Sequence, residues 1–390
     1  MILVVFGTTG ELIKLAPVLL RLDARGHEYV LATTGQQVLQ IPSFLEQFGL
    51  RQPDLWLARG AGGRDLRTNR DIPGWASTVL RSFARERRRL RRALVGGRGH
   101  PLVLVHGDTM TTVLGASMGR TLRVAVAHIE SGLRSFDLRH PFPEELNRRL
   151  ASRLAALHFA PGLWATENLT RHDVVDTGSN TIRDSLALVP DEGHVPEGVP
   201  GENFGVVSLH RYELLASRTT LRETLEVLAK ASSRTPLLFV DHPVTAAAIE
   251  RFGLDHLFDD ERFVRVPRLP FFEFVRVERR SAFVVTDSGG SQEECFYLDR
   301  PCLVHRVRTE RPEGIGENVV LSGMRTSTLE EFLAAPERYR RRSALPEASP
   351  SDIVVDELER RSIAVGPGPE EKPSLSSTSA SSWPQSNLRA

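Results

Sequence analysis

A chain of 390 residues is too long for one ordinary hydrophobic core, so two domains are expected. Its 41% apolar and 25% charged residues are the mixture of a globular protein, and a formal net charge of +1 excludes a global electrostatic footprint for nucleic acid or a membrane surface. No run approaches the roughly 20 apolar residues that span a bilayer.

Residues 2–6 read as a buried strand that runs straight into a glycine turn, with no basic leader segment, so a cytoplasmic protein is expected. Residues 11–25 follow as a helix with Leu12, Leu15, Leu19 and Leu22 at helical spacing. Residues 29–33, 102–106 and 124–129 are further strands, and residues 111–120 form a helix between the last two. This alternation predicts parallel βαβ units and an α/β fold. The densest basic run lies within residues 81–100. It reads as the wet face of a helix whose apolar stripe includes Val79, Phe83, Leu90 and Leu94, since no aromatic residues interleave as in a nucleic-acid patch.

Residues 190–205 are rich in Pro, Gly, Glu and Asp and read as a linker. The pattern then restarts, with strands at 205–209, 237–240, 263–266 and 283–286 and helices at 217–231, 271–277 and 290–297. The predicted division is a first domain at 1–185 that carries the candidate carboxylates, a linker at 186–204 and a second domain at 205–345. A helix at 346–365 and a disordered Pro/Ser/Thr-rich tail at 366–390 complete it. Cys295 and Cys302 read as small core hydrophobes rather than a disulfide framework.

In a parallel sheet the C-terminal ends of the strands face the ligand crevice. Phe6-Gly-Thr-Thr-Gly-Glu11 stands at the first such end, and its glycine spacing does not match a dinucleotide fingerprint, so no NAD is expected. His106-Gly-Asp-Thr109 and His128-Ile-Glu-Ser-Gly-Leu-Arg134 stand at two others. Pro141-Phe-Pro-Glu-Glu-Leu-Asn-Arg148 follows, with Pro143 and Glu144 suited to a first helical turn. Asp108, Glu130 and Glu144 are therefore expected on one rim, where mutual repulsion raises at least one pKa, as proton transfer near neutrality requires. Capping and ion pairing with Arg134 or Arg148 is the competing structural role. His106 and His128 lack metal-ligand spacing and read as strand-end hydrogen-bonding residues, so no metal is expected.

In the second half, Ser208-Leu-His-Arg-Tyr212 places His210 just past a strand. In Thr286-Asp-Ser-Gly-Gly-Ser-Gln-Glu-Glu294, the N–H groups of Ser288, Gly289 and Gly290 open a helix, which suits a diphosphate. Glu294, a turn further on, is placed to accept from ribose hydroxyls.

Those motifs, together with Ile13-Lys-Leu-Ala-Pro17 and Thr309-Glu-Arg-Pro-Glu313, occur in the order seen in UDP-N-acetylglucosamine 2-epimerases, which the chain resembles over residues 1–363. The resemblance implies a GT-B-like fold of two Rossmann-like domains, with parallel sheets facing an interdomain cleft. It implies interconversion of UDP-GlcNAc and UDP-ManNAc by elimination of UDP to 2-acetamidoglucal and re-addition, with no cofactor. Asp108, Glu130, Glu144 and His210 take catalytic places; Lys14, Arg148, Phe274, Ser288, Gly289, Gly290 and Glu294 take substrate-binding places, Phe274 as the uracil stack. The implied partner is a UDP-sugar, and the implied assembly is a homodimer.

Three departures from the family pattern stand out. Thr9 replaces an arginine, Gly35-Gln-Gln-Val38 replaces the Gln-His-Arg segment that helps hold an activating second UDP-GlcNAc, and Gly178-Ser-Asn-Thr181 carries one extra residue, while Arg81 still matches that pocket. The alternatives are a hydrolysing epimerase that releases UDP and ManNAc, a glycosyltransferase on the same scaffold, or a non-catalytic nucleotide-sugar-binding protein.

Overall fold

The computed structural model describes residues 1–66, 70–137, 143–170 and 172–364. The tail expected to be disordered lies outside them, as do Pro141 and Phe142. The described residues form two compact units, one of residues 1–132, 143–181 and 348–364, the other of residues 133–137 and 182–347.

The first unit is a seven-stranded sheet. Its strands are β1 (Ile2–Phe6), β2 (Tyr29–Thr33), β3 (Leu55–Trp56), β4 (Leu102–His106), β5 (Ala125–Ile129), β6 (Leu157–Ala160) and β7 (Asp173–Asp176). Between them run α1 (Thr9–Ala24), α2 (Ile41–Gln47), α3 (Asp71–Gly96), α4 (Met110–Leu122), α5 (Glu144–Leu154) and α6 (Leu163–Glu167). All neighbours are parallel, in the order β3-β2-β1-β4-β5-β6-β7. Every side chain of β1, β2 and β4 is buried, as expected of apolar runs covered on both faces. The order reverses between β1 and β4, and this switch point leaves a crevice outside the ends of those two strands. Phe6-Gly-Thr and His106-Gly-Asp stand there. The basic run lies on α3, whose buried stripe is Trp75, Val79, Phe83, Leu90 and Leu94.

The second unit opens with α7 (Ile182–Ala187). It continues through β8 (Gly205–Ser208), α8 (Tyr212–Leu215), α9 (Arg218–Ser232), β9 (Leu237–Asp241), α10 (Pro243–Phe252) and β10 (Phe263–Pro267). Then come α11 (Phe271–Arg280), β11 (Phe283–Thr286), α12 (Gly289–Tyr297), β12 (Cys302–Val304), β13 (Val319–Leu321) and α13 (Thr326–Ala334). The strands are parallel in the order β10-β9-β8-β11-β12-β13, so the second switch point lies between β8 and β11. His210 follows one of these strands and Ser288 the other. The stretch between α7 and β8 is pinned to α11, where Arg276 donates to Pro190 O (3.0 Å) and Arg279 to Val189 O (2.8 Å).

The last helix, α14 (Pro350–Arg360), returns to the first unit and packs on α1. Ser349 caps it, and Arg21 of α1 donates to Asp352 at 2.6 Å. Among the described residues no helix is long and apolar enough to cross a membrane.

Gly205 opens β8 directly under the ring of Phe283 on β11; a Cβ there would meet Phe283 Cζ at 2.3 Å. Its backbone is ordinary extended strand, so the clash is purely steric. Gly205→Ala is expected to cost about 1–3 kcal/mol in denaturant unfolding, and adding Phe283→Leu should recover most of the loss. An unchanged midpoint for the single variant would contradict this packing.

Candidate functional site

In the first unit the site is built on three loops. Thr8 caps α1 and Glu11 answers it in a capping box: Glu11 N–H donates to Thr8 Oγ1, while Glu11 Oε2 accepts from the N–H groups of Gly7 (2.8 Å) and Thr8 (2.9 Å). One turn further along, buried Lys14 forms an ion pair with Glu130 at the end of β5. Glu130 Oε1 also accepts from Asn180 Nδ2 at 2.6 Å, and His106 Nδ1 lies 3.8 Å from Glu130 Oε2. Glu130 adopts φ +62, unusual for a residue with a side chain.

Asp108 stands on the loop after β4. Its carboxylate pairs with Arg148 of α5, and its carbonyl accepts from Asn147 Nδ2 at 2.9 Å. Arg148 is also 3.5 Å from Glu145, which is fully buried and accepts from Arg149 Nε at 3.0 Å. Glu144 opens α5 and is half-buried. His128 Nε2 lies 2.6 Å from Gly107 O, the strand-end hydrogen bond expected of it. Among the described residues no three His, Cys, Asp or Glu side chains are grouped to hold a metal ion.

In the second unit Asp287 is fully buried at the end of β11. Its Oδ2 accepts from the N–H groups of His210 and Arg211, each at 2.7 Å, which ties the loop after β8 to the loop after β11. Ser288 caps α12 by accepting from Gly290 N–H at 3.2 Å, and its own N–H donates to Thr286 Oγ1 at 3.1 Å. A Cβ at Gly289 would sit 3.0 Å from Arg311 Nε, so only glycine lets that guanidinium lie against the helix start. Arg311 pairs with buried Glu293 at 2.6 Å, and Gln292 Nε2 donates to Arg311 O (2.9 Å) and Glu313 O (3.0 Å). The Thr309–Glu313 motif is thus lashed to α12. A cavity of about 300 Å3 opens beside it, lined by Arg211, Leu214, Arg306, Val307 and Arg308 among others. Glu294 is buried on α12, and Phe274 of α11, partly buried, packs against the apolar cluster that includes Val206, Val240, Val266 and Val284.

The electrostatics of the two units differ. Burial pushes the Glu11 carboxyl up to about 7, against the pull of its hydrogen-bond donors. Burial likewise raises Asp287 to about 6, opposed by the N–H groups of Arg211 and His210. His210 stacks on His242 with ring centroids 4.8 Å apart. Burial and then nearby arginines push His210 down to about 4, and burial and then His210 do the same to His242. Both rings are therefore neutral at pH 7, and the 3.4 Å contact between His210 and Asp287 is not an ion pair there.

The sequence model of the family described as UDP-N-acetylglucosamine 2-epimerase matches residues 21–344. A Bacillus subtilis protein named UDP-N-acetylglucosamine 2-epimerase is 31% identical over 360 residues, which cover 88% of this chain and 89% of that protein. The chain belongs to the UDP-N-acetylglucosamine 2-epimerase family. A Pseudomonas aeruginosa relative named UDP-2,3-diacetamido-2,3-dideoxy-D-glucuronate 2-epimerase is 30% identical, over 74% of this chain and 77% of its own length. The crystal structure of Methanocaldococcus jannaschii UDP-GlcNAc 2-epimerase in complex with UDP-GlcNAc and UDP has a TM-score of 0.75 and 25% identity. That match covers 92% of this chain and 99% of that one. The fold is thus α/β and GT-B-like, with two Rossmann-like units.

Within this epimerase-family chain, the structure brings Lys14 to Glu130 and Arg148 to Asp108 in one unit. It gathers His210, Ser288, Gly289 and Gly290 around the switch point of the other. Glu11, Glu145, Asn180, Asp287, Glu293 and Arg311, which the sequence motifs contain but assign no role, also take part in this network. The Thr8-x-x-Glu11 capping pattern and the Thr309–Glu313 motif are the local signals for Glu11 and Arg311. Nothing local marks Asn180 as the donor to Glu130. The two departures at Thr9 and Gln37 touch each other, since Thr9 N–H and hydroxyl both lie 2.9 Å from Gln37 Oε1.

Unfolded His210 and His242 bind protons below about 6.5, whereas the folded rings do not until about 4. Their contribution therefore makes stability fall as pH drops through that window. Histidine NMR should show these two rings titrating near 4; a His210 midpoint at or above 6 would contradict the buried, cation-flanked environment.

Proposed function

We propose that this protein interconverts UDP-GlcNAc and UDP-ManNAc. One group removes the C2 proton, UDP departs with the electron pair of the C1–O bond to leave 2-acetamidoglucal, and UDP then returns as C2 is protonated on the opposite face. Inversion needs proton transfer on two faces, hence at least two acid/base groups. The observation that carries the reading is the pair of carboxylates Asp108 and Glu130 on the ends of adjacent strands, each held by its own cation, Arg148 and Lys14. Glu144 completes the acidic set. The start of α12, at Ser288, Gly289 and Gly290, takes the diphosphate, exchanging its internal amide bonds for phosphate oxygens. Glu294 takes the ribose, Phe274 the uracil, and neutral His210 donates or accepts a hydrogen bond near the diphosphate. The Pseudomonas relative's name supports the broader substrate class of UDP-activated 2-acetamido sugars. The protein is taken to work in the cytoplasm, which suits its two buried free thiols, and as a homodimer on the family likeness.

NMR of UDP-GlcNAc incubated with the protein should show UDP-ManNAc at equilibrium. Asp108→Asn and Glu130→Gln should each lower kcat by about 10²–10⁴-fold. Persistence of unchanged UDP-GlcNAc would overturn the assignment. A second reading, hydrolysis to UDP and ManNAc, is favoured by the engagement of Gln37 with Thr9, which alters the segment that holds an activating nucleotide in the resemblance. Accumulation of free UDP in step with ManNAc, in place of UDP-ManNAc, would select it.

A further inference from the structure

The glycine loop after the first strand of a doubly wound sheet is where such sheets receive a phosphate, because the first N–H groups of the next helix are unpaired there. In the first unit of this protein the N–H groups of the loop and of the first helical residue are engaged by side chains. Glu11 Oε2 accepts from Gly7 N–H at 2.8 Å, Thr8 N–H at 2.9 Å and the Thr8 hydroxyl at 3.1 Å. Thr9 N–H goes to Gln37 Oε1 at 2.9 Å. The Glu11 side chain is almost wholly buried, and its carboxylate uses N–H groups of the kind an anionic ligand would use.

Its other oxygen turns to the neighbouring loop. Glu11 Oε1 accepts from the Thr109 hydroxyl at 2.7 Å and lies 3.3 Å from the Thr112 hydroxyl. Thr112 in turn donates to His106 O at 2.6 Å, and Thr109 is both the cap of α4 and the residue after Asp108. One carboxylate therefore joins the two loops that flank the switch point, and Asp108 sits on one of them.

We propose that Glu11 is a resident anion that fills the phosphate cradle of the first sheet and, through Thr109, is the positioning residue that fixes the Asp108 loop for proton transfer. The inference rests on the epimerase reading of Asp108, but the clamp itself is a property of the folded chain. It predicts that ionised Glu11 is the working form. A proton on Glu11 would remove one acceptor and point a donor at groups that are themselves donors. Because burial lifts this carboxyl to about 7, the clamp loosens as pH falls through neutrality. The charged and titratable groups on the elements around it are Lys14 on α1, His106 and Asp108 after β4, Glu130 after β5 and Arg148 on α5.

The test is Glu11→Gln and Glu11→Ala in the full chain, each assayed for UDP-GlcNAc epimerisation across pH 5.5–9. Glu11→Gln should lower kcat by about 10²-fold, the scale of a misplacement near 1 Å, with KM changed less than about threefold. The acid limb near pH 7 should disappear, since glutamine does not titrate. Glu11→Ala should regain at least about tenfold in rate with added formate, which the wild-type protein should ignore. Wild-type kcat and an unchanged acid limb in Glu11→Gln would overturn the proposal, as would a folded Glu11→Ala protein indifferent to formate. Amide hydrogen exchange at Gly7 and Thr8 provides a readout independent of turnover. Protection should fall in Glu11→Ala and return with formate, and unchanged protection would overturn the clamp. If the wild-type protein leaves UDP-GlcNAc untouched, the functional reading fails and the exchange experiment still decides the clamp.

Discussion

Lys14 and Glu130 are both buried, and a charge taken out of water without a partner costs several kcal/mol. Much of the first unit's loop structure follows from satisfying this pair. Lys14 must lie one turn inside α1, so α1 must start immediately after β1, and the Thr8–Glu11 capping box sets that start. Asn180, from the segment after β7, supplies the additional donor that a buried carboxylate needs. Glu130 itself holds a left-handed backbone, a conformation costing of order 1–3 kcal/mol for a residue with a side chain. Such strain persists only where the surroundings over-determine it, and here a lysine, an asparagine and the neighbouring His106 do so.

The second unit solves a different problem with the same topology. Its switch point is lined by arginines and a dense set of hydrogen bonds. Arg311 lies against Gly289 because no Cβ intervenes, Gln292 and Glu293 bind the Thr309–Glu313 loop to α12, and Asp287 draws in the loop that carries His210. Burial keeps His210 and His242 uncharged, so the cations there are arginines whose charge does not depend on pH. One sheet thus holds a buried carboxylate at its first loop, and the other sets arginines and a helix start around its switch point.

Much of this was legible in the sequence because the central strands are continuous apolar runs. The expected bounds of residues 2–6, 29–33, 102–106 and 283–286 are those observed. β3, β12 and β13 have two or three residues each, too short for a period to register, while β6 is interrupted by His158 and β7 begins and ends on aspartate. Asp108 and Glu130 were readable as strand-end carboxylates because they directly follow the apolar runs of β4 and β5. Glu145 was not, because helix phase decides that it, beside Glu144, turns fully inward. Glu11 was visible as a cap, but its bond to Thr109 joins positions 98 residues apart, which no local pattern encodes. Thr9 and Gln37 each stood out as a departure, and their hydrogen bond shows that the two changes form one local arrangement.

In the proposed reaction the C1–O bond opens while the sugar stays bound and carboxylates move a proton at C2. Positional isotope exchange tests it most directly, with UDP-GlcNAc carrying ¹⁸O in the bridge between C1 and the β-phosphorus. The account predicts that the label scrambles into the non-bridging β-phosphate oxygens at a rate comparable to epimerisation. Inversion at C2 with the label held in the bridge would contradict it.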